Sequence, residues 1–273
     1  MSSFNIFIPS KSRANDSILL KHLNNKRLPF HVVVEPQDAK KYLETYPYGK
    51  IIILPKNNGG IAYVRQYILE YAHSKKMTWI WMLDDDISPQ ISVIDRNNKL
   101  SKKSLYATMQ QIITESFQRG FPKAYKIDIN KHIDKIAQIG FKHVLWLREY
   151  PKYSINAQVV CNQITALNVP LLQKHQIGYH PGLNFREDID LTLQIMQSGL
   201  LTVRFNRYGY DCNHRRDYKK LKTQKNGGMS KLFNNMNLEK QNKILLQRFG
   251  KYLTNTTNGK IKVNLSSFKR EFY

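Results

Sequence analysis

The stretch "WIWMLDDDIS" (79–88) decides the fold, because five apolar residues run directly into Asp84, Asp85 and Asp86. A short apolar run bounded by polar residues is typical of a buried strand. Three adjacent carboxylates are unexpected in a chain whose formal net charge is +23. The stretch therefore predicts a buried strand with an acidic site at its carboxyl end.

Three similar apolar runs precede this one. They are "FNIFIPSKSR" (4–13), "FHVVVEP" (30–36) and "KIIILP" (50–55). Residues 14–25 and the segment after "KNNGG" show helical spacing of apolar residues, the latter at Ile61, Val64 and Ile68. Strands that alternate with helices predict an α/β fold of Rossmann type, with a mostly parallel sheet flanked by helices.

The pattern continues toward the C-terminus with predicted helices at 105–120 and 186–199 and predicted strands at 143–147 and 157–169. We assign residues 1–215 to one core. Residues 216–273 form a second, basic segment, which contains a predicted helix at 237–250.

The positive charge is concentrated as well as large. The chain has 43 Lys and Arg against 20 Asp and Glu, with a pI of about 9.9. The candidate contacts to a polyanion lie close together in the sequence and are Arg204, Arg207, Arg215, Arg216, Lys219, Lys220 and Lys222. A lysine-rich composition alone would scatter charge evenly. The clustering favours a surface for nucleic acid, which basic residues bind by neutralising phosphates.

The cysteines and the lack of targeting segments indicate the cellular compartment. Cys161 and Cys212 have no metal-like spacing and suggest a reducing environment. The N-terminal residues lack a signal-peptide pattern, and no apolar run approaches the roughly 20 residues of a membrane helix. We therefore expect a cytoplasmic protein with no membrane partner, and a monomer.

The acidic stretch is a candidate metal site. Ligands of open parallel sheets bind at the carboxyl ends of the strands. In an extended chain Asp84 and Asp86 would share one side while Asp85 points elsewhere. Such a pair suits one Mg²⁺ or Mn²⁺ ion that keeps positions open for phosphate oxygens. The alternative interpretation is a solvated acidic turn.

Polar residues that follow the other strands agree with a bound nucleotide. The candidate nucleotide-binding residues are Ser10, Arg13, Glu35, Asn57, Gly60, Arg65, Asp84, Asp85 and Lys225. The two arginines could hold phosphates, Glu35 could accept hydrogen bonds from a base or ribose, and the helix after Gly60 could receive an anion at its N-terminus. Each feature alone could be structural, but their convergence favours a nucleotide site.

A second acidic cluster opens the helix at 186–199. Helix capping explains one or two acidic residues there. A transferase also needs a base near its acceptor, and Glu187 or Asp188 could serve, with Asp188 preferred. His214 could complete the metal shell, although a lone histidine is usually not a ligand.

These residues, in this order, resemble the nucleotide-diphospho-sugar glycosyltransferases of GT-A architecture. The most specific elements are "ILPKNNGGIAYVRQ" (53–66) and "WIWMLDDDI" (79–87). More narrowly, residues 4–215 resemble the TET/JBP-associated glycosyltransferases, including the phage α-glucosyltransferases of T-even type that act on β-glucosyl-hydroxymethylcytosine.

The resemblance implies a UDP-glucose donor, a Mn²⁺ or Mg²⁺ ion and double-stranded DNA that carries hydroxymethylcytosine or its glucosylated form. It implies metal binding by Asp84, Asp86 and His214, and a base at Glu187 or Asp188. A single displacement would invert the anomeric carbon. Tyr150, Tyr153, Tyr179 or His180 could contact the modified base, and residues 216–273 would close the site and contact DNA.

Three other functions remain open from the sequence. A GT-A enzyme that acts on polysaccharide or protein would explain the acidic motifs but not the charge. A non-catalytic nucleic-acid-binding protein would explain the charge, and its acidic motifs would be structural. A metal-dependent nuclease would also use clustered carboxylates, but the polar residues after the first four strands suit a nucleotide better.

Overall fold

The structure is a computed structural model, which describes residues 5–124, 127–212, 238–255 and 261–264. The strands are β1 (Asn5–Pro9), β2 (His31–Val34), β3 (Lys50–Ile53), β4 (Trp79–Leu83), β5 (Gln90–Ile94), β6 (Leu100–Ser104), β7 (Ile136–His143), β8 (Ile155–Ala157), β9 (Ile164–Asn168), β10 (Leu201–Tyr210), β11 (Leu253–Asn255) and β12 (Ile261–Val263). The helices are α1 (Ile18–Asn25), α2 (Ala39–Thr45), α3 (Gly60–Ser74), α4 (Leu105–Arg119), α5 (Val169–Lys174), α6 (Glu187–Gln197) and α7 (Leu238–Phe249).

Ten strands of the described chain form one central sheet, in the order β3-β2-β1-β4-β9-β7-β10-β5-β6, with β8 paired to β10. Strands β3, β2, β1 and β4 are parallel neighbours, as are β7 and β10. Strand β9 lies antiparallel between β4 and β7. Seven of the ten strands therefore run in one direction, and the predicted mostly parallel α/β sheet flanked by helices is confirmed.

The sheet is buried on both faces, which explains the continuous apolar runs of its central strands. Successive residues of β4 alternate between two core layers. Trp81 and Leu83 pack in the layer that includes α1 and α4, whereas Ile80 and Met82 pack in the layer that includes α3 and α6. The ladders of β4 with β1 and β9 set its register, and so set where its carboxyl end places Asp84.

Helix positions follow from local capping. Ser17 accepts a hydrogen bond from Leu20 N at 3.1 Å, so α1 begins at residue 18 and the preceding four residues form a turn rather than helix. Gly120, with φ of 89°, ends α4 in a conformation that favours glycine.

The structure corrects the sequence prediction in three regions. The β5–β6 hairpin was not predicted, because every side chain of β6 is exposed and the strand has no apolar face. The strand predicted at 143–147 is wrong, since β7 ends at His143 and Val144–Trp146 forms a 3-10 turn. The strand predicted at 157–169 is interrupted, with β8 ending at Ala157 and β9 beginning at Ile164.

The predicted C-terminal helix is present as α7, which packs against α6. Leu245 and Phe249 of α7 are buried with Leu193 and Met196 of α6. Arg248 Nε also lies 2.7 Å from Asp190 Oδ1. None of the helices in the described part of the chain has both the length and the apolar character needed to cross a lipid bilayer.

Candidate active site

The site lies at one edge of the sheet, where β1, β2 and β4 end. These strands are parallel, so the residues that follow them are neighbours. Ser10 follows β1, Glu35 follows β2 and Asp84 follows β4. The structure therefore brings together residues that the sequence places far apart, as the predicted nucleotide site requires.

One buried arginine joins the two acidic clusters. Arg65 Nη2 lies 2.6 Å from Asp84 Oδ1, and Arg65 Nη1 lies 2.9 Å from Glu187 Oε1. Burial lowers the pKa of Arg65, but the charges of Asp84 and Glu187 outweigh this effect and raise its pKa. The guanidinium thus stays charged and fixes α3 between the end of β4 and the start of α6.

Asp85 has a different environment. It is 6% exposed, its carboxylate accepts from Ser10 Oγ at 2.5 Å and from Arg13 Nη1 at 2.6 Å, and its backbone carbonyl accepts from Ser17 Oγ at 2.5 Å. Ser10 Oγ is also 2.6 Å from Tyr42 Oη. Ser10 and Asp85 thus lie beneath the site as partners that hold Arg13, and their contact with a nucleotide stays a prediction.

The chain turns directly after Asp84, with Ile87 N donating to Asp84 O at 3.4 Å. The extended backbone assumed from the sequence is therefore wrong for residues 84–87, because the β4–β9 ladder stops at Leu83. Asp86 Oδ2 lies 3.8 Å from Arg13 Nη1. Asp84 and Asp86 have side chains 25% and 23% exposed, whereas Asp85 has 8%.

These exposures fit the predicted metal pair. Burial and the charges of Asp86 and Asp85 raise the pKa of Asp84, Arg65 opposes the rise, and the resulting pKa is about 6. Carboxylates that repel each other in this way suit a divalent cation that also takes water and phosphate oxygens. Within the described residues no group of three His, Cys, Asp or Glu side chains is arranged to hold a metal ion. The predicted third ligand, His214, lies outside those residues.

Glu35 links the ends of three strands. It is 3% exposed, and its carboxylate accepts from Asn58 N at 2.9 Å, from Gln37 Nε2 at 2.8 Å and from Lys11 Nζ at 2.8 Å. Asn57 Oδ1 in turn accepts from Gln37 N at 3.1 Å. Glu35 and Asn57 thus fix the loop that leads into α3, and the contact of Glu35 with a base or ribose stays a prediction.

Gly60, the first residue of α3, needs to be glycine. Its φ is 81°, and a Cβ atom there would lie 2.2 Å from Asn184 Oδ1. The close approach brings the 178–185 loop against the N-terminus of α3. Tyr179 N donates to Gln66 Oε1 at 2.9 Å in the same contact. The loop that precedes Glu187 and Asp188 is therefore packed onto α3.

A small open cleft lies between these elements. Its polar lining includes Arg65, Gln138, Asn162, Gln163, Thr165, Tyr179 and Asp188. Asp188 is half-buried, whereas Glu187 is 7% exposed and paired with Arg65. Burial raises the pKa of both carboxyls, Arg65 opposes the rise in each, and the pKa of Glu187 reaches about 7. Asp188 is therefore the more accessible of the two predicted bases.

Sequence reasoning missed the cleft residues between β8 and β9. Gln163 O accepts from Asp84 N at 3.0 Å, and Gln163 has a φ of 55°. Because β9 is antiparallel to β4, its N-terminal end lies at the same edge as Asp84. The polar "CNQ" (161–163) inside an apolar region was the available signal.

Tyr210 was also missed, although it closes the same edge at the end of β10. It is 3% exposed, and its ring packs against the His143 ring with centroids 5.2 Å apart. Burial raises the pKa of Tyr210, and the charges of Asp84 and Asp188 contribute to the rise. Tyr210 therefore connects the carboxylates of the site with the end of β7.

The structure describes two of the predicted DNA contacts. Arg204 and Arg207 are half-buried residues of β10, and the Arg207 guanidinium lies 5.1 Å from the centroid of the Tyr150 ring. The others lie outside the described residues, namely Arg215, Arg216, Lys219, Lys220 and Lys222, together with the predicted nucleotide contact Lys225.

Several solved structures are similar to this chain at low sequence identity. TarS of S. aureus in complex with UDP-GlcNAc shares 15% identity at a TM-score of 0.48, over 77% of this chain and 58% of that chain. A197 from STIV shares 11% identity at a TM-score of 0.39, over 76% and 84%. A cytidylyltransferase from Leptospira borgpetersenii shares 12% identity at a TM-score of 0.42, over 72% and 73%. The chain spans 36% and 62% of two further TarS chains.

No curated protein sequence matches the chain significantly. A family model does: that of the TET-associated glycosyltransferases matches residues 4–220. The match includes both motifs on which the resemblance was based, at 53–66 and 79–87, and it confirms that resemblance. Because it extends over well more than half of the 273 residues, the chain belongs to the TET-associated glycosyltransferase family.

Proposed function

We propose that this protein transfers glucose from UDP-glucose to hydroxymethylcytosine, or to its glucosylated form, in double-stranded phage DNA. The observation that carries the proposal is the array at the end of β4, where Asp84 lies beside Arg65 and Asp86 lies beside Arg13 in a member of a glycosyltransferase family. Such an array offers both a cation site and arginines for a diphosphate.

The donor would bind across the ends of β1, β2 and β4. Arg13 and Arg65 are the proposed diphosphate contacts, with Lys225 as a third cation. The N-terminus of α3, at Asn57 and Gly60, would receive the anion. Ser10, Glu35 and Asp85 would act largely by holding Arg13 and the loop at 57–58 in place, which the hydrogen bonds of these residues support.

Asp84 and Asp86 are the proposed metal ligands, with His214. When bound, Mn²⁺ or Mg²⁺ would neutralise charge on the leaving diphosphate. The partial exposure of both carboxylates supports this assignment over Asp85, which is buried and fully engaged.

Asp188 is the proposed base. It would take the proton of the acceptor hydroxyl as that oxygen forms a bond to the anomeric carbon and the bond to the diphosphate breaks, releasing UDP. A single displacement of this kind inverts the anomeric carbon. Glu187 would position Arg65 rather than accept the proton, because its carboxylate is buried against that guanidinium.

The proposal that DNA is the acceptor is based on the net charge of the chain. The excess of 23 positive charges has no role in binding one nucleotide sugar, whereas a duplex would use it. Residues 216–273 would close the site and contact DNA, which the docking of α7 on α6 supports. We propose a monomer that acts in the cytoplasm of the phage host, consistent with two free cysteines.

Donor turnover and DNA affinity test this proposal together. We expect UDP release from UDP-glucose to require Mn²⁺ or Mg²⁺ and to fall at least about a hundredfold in Asp86→Asn. We also expect affinity for duplex DNA to fall steeply between 50 and 200 mM salt, by the roughly 10³-fold or more typical of several phosphate contacts. Turnover without salt-dependent DNA binding would favour a polysaccharide or protein acceptor, and DNA binding without turnover would favour a non-catalytic protein.

A further inference from the structure

The turn Val144–Trp146, which follows β7, exposes two large apolar side chains side by side. Leu145 is 59% exposed and Trp146 is 64% exposed, the two highest values among the large apolar side chains of the described residues. Adjacent exposed apolar side chains cost solvation free energy and typically mark interaction surfaces. Nothing in the fold requires them, since Leu147, which is 4% exposed, already anchors the turn in the core.

The turn is held rigidly. His143 Nδ1 accepts from Leu145 N at 3.2 Å, and Leu147 N donates to Val144 O at 2.9 Å. Gly209 of β10 lets the turn lie directly on the sheet, because a Cβ atom there would be 3.0 Å from both Val144 Cα and Leu147 Cδ2. A rigid turn can present apolar side chains to a partner without an ordering cost.

The turn also lies at the active-site edge. Strands β7 and β10 are parallel and end together at His143 and Tyr210. The ring of Tyr210 packs on that of His143, and the charges of Asp84 and Asp188 act on the pKa of Tyr210. One residue after His143, the chain enters the exposed turn. A partner seated on Leu145 and Trp146 would therefore reach the mouth of the cleft.

The surroundings of the turn are basic. Lys142 and Arg204 are close enough that the charge of Arg204 lowers the pKa of Lys142, after the larger effect of burial. Arg148 and Lys152 are exposed nearby, together with the acidic Glu149. A hydrogen bond of 2.6 Å from Tyr150 N to Asn98 Oδ1 brings in the β5–β6 hairpin, whose exposed residues include Arg96 and Lys99. Exposed apolar side chains in a segment that also presents several cations fit a partner with stacked bases and a phosphate backbone.

We propose that Leu145 and Trp146 contact the nucleobases of the acceptor DNA, with Trp146 stacking on or between bases while the surrounding cations hold the phosphates. This proposal rests on the proposed DNA acceptor. It assigns stacking on the bases beside the modified one to Trp146, because the rings of Tyr150 and Tyr153 are each covered by a cation, Arg207 and Lys152 respectively. Apolar side chains that insert at base steps, flanked by basic residues, are a known mode of DNA binding.

The test uses Trp146→Ala, Trp146→Phe and the double variant Leu145→Ala/Trp146→Ala of the full chain. A matched control is Tyr48→Ala, because Tyr48 is an aromatic side chain 52% exposed at a distant loop. The measurements are hexose transfer to duplex DNA with hydroxymethylcytosine, transfer to free 5-hydroxymethyl-dCMP, and UDP binding by calorimetry. We expect Trp146→Ala to raise KM for the duplex about 10- to 100-fold. Trp146→Phe should recover most of this loss, and transfer to the mononucleotide and UDP binding should stay unchanged.

Fluorescence separates this proposal from the proposed function. The chain has three tryptophans, of which Trp81 is fully buried and Trp79 half-buried, so DNA that stacks on Trp146 should quench an emission that Trp146→Phe lacks. If DNA quenched the fluorescence but accepted no hexose, the contact of Trp146 with bases would stand and the proposal that DNA is the acceptor would be wrong. Normal duplex transfer by the double variant, without quenching in the wild-type protein, would overturn the base contact alone. Loss of mononucleotide transfer in Trp146→Ala would also overturn it, since that loss indicates damage to the cleft.

Discussion

Arg65 and Glu187 form a buried ion pair of 2.9 Å that joins α3 to the first residue of α6. The same guanidinium holds Asp84 at 2.6 Å. The proposed metal ligand and the helix with the proposed base therefore depend on one side chain for their relative position. A site built in this way should be sensitive to small changes at Arg65 that leave its charge in place.

Arg65→Lys tests that dependence. Lysine keeps the positive charge but not the planar fork, so it cannot contact both carboxylates as arginine does. Loss of one charged hydrogen bond costs about 1.5–3 kcal/mol. We expect kcat/KM to fall at least about tenfold, measured as UDP release with saturating acceptor. The control is Arg119→Lys at the exposed end of α4, which should have no effect. Full activity in Arg65→Lys would show that the bridge is not needed for catalysis.

The two carboxylates at the start of α6 should differ in role. Asp188→Asn removes the proposed base, and general base catalysis typically contributes about 10²–10⁴-fold. We expect kcat to fall by about that factor with UDP-glucose affinity unchanged. Glu187→Gln should instead weaken UDP-glucose binding, because it loosens Arg65. The assignment of roles would be reversed if Glu187→Gln lost kcat while Asp188→Asn retained it.

Glu187 should also make stability depend on pH. Burial raises its pKa to about 7 in the folded state, against an ordinary value of 4.5, although Arg65 opposes the shift. The protonated form is favoured in the folded protein, so this contribution to stability is complete below about pH 4.5 and is lost as pH rises toward 7. The measurement is the free energy of unfolding in urea, with chelator present, for the wild-type protein and for Glu187→Gln. The wild-type value minus the Glu187→Gln value should fall between pH 5 and pH 8. A constant or rising difference would contradict the prediction.

The Asp190–Arg248 contact should fasten the C-terminal helix. Asp190 is fully buried and Arg248 is about a third exposed, with an Nε to Oδ1 distance of 2.7 Å. Arg248→Met would leave a buried carboxylate that depends on its hydrogen bond from Gln194, at a cost of about 2–3 kcal/mol once solvent screening is considered. Asp190→Asn/Arg248→Met should recover part of this loss. Urea unfolding of Arg248→Met, Asp190→Asn and the double variant measures the coupling energy between the two residues. If the losses of the two single variants simply added in the double variant, the pair would contribute nothing to stability.

The central strands could be predicted from the sequence because their signal is local. Strand β4 is buried on both faces, so its residues are apolar without interruption up to Asp84. The polar residues after β1, β2 and β4 could be expected to meet, since parallel strands end at the same edge. The same rule explains why Arg13, which follows β1, lies close to the acidic stretch.

Other features depend on contacts that no local pattern contains. Strand β6 lies at the edge of the sheet, where its exposed lysines discourage pairing with another chain. The same lysines remove the alternating apolar pattern by which a strand is predicted. The Arg65–Glu187 pair joins residues far apart in sequence. The antiparallel insertion of β9 brings Gln163 to the cleft, and neither periodicity nor composition predicts which strand enters a sheet against its direction.

Mass spectrometry of nucleosides tests the central claim most directly. The protein would be incubated with UDP-glucose and Mn²⁺ and with unmodified, hydroxymethylated or glucosylated duplex DNA, followed by digestion to nucleosides. We predict a gain of one hexose on hydroxymethylcytosine or on its glucosylated form, no gain on cytosine, and no gain with Asp188→Asn. UDP release from UDP-glucose without a hexose on any of the three DNAs would contradict the assignment of DNA as the acceptor.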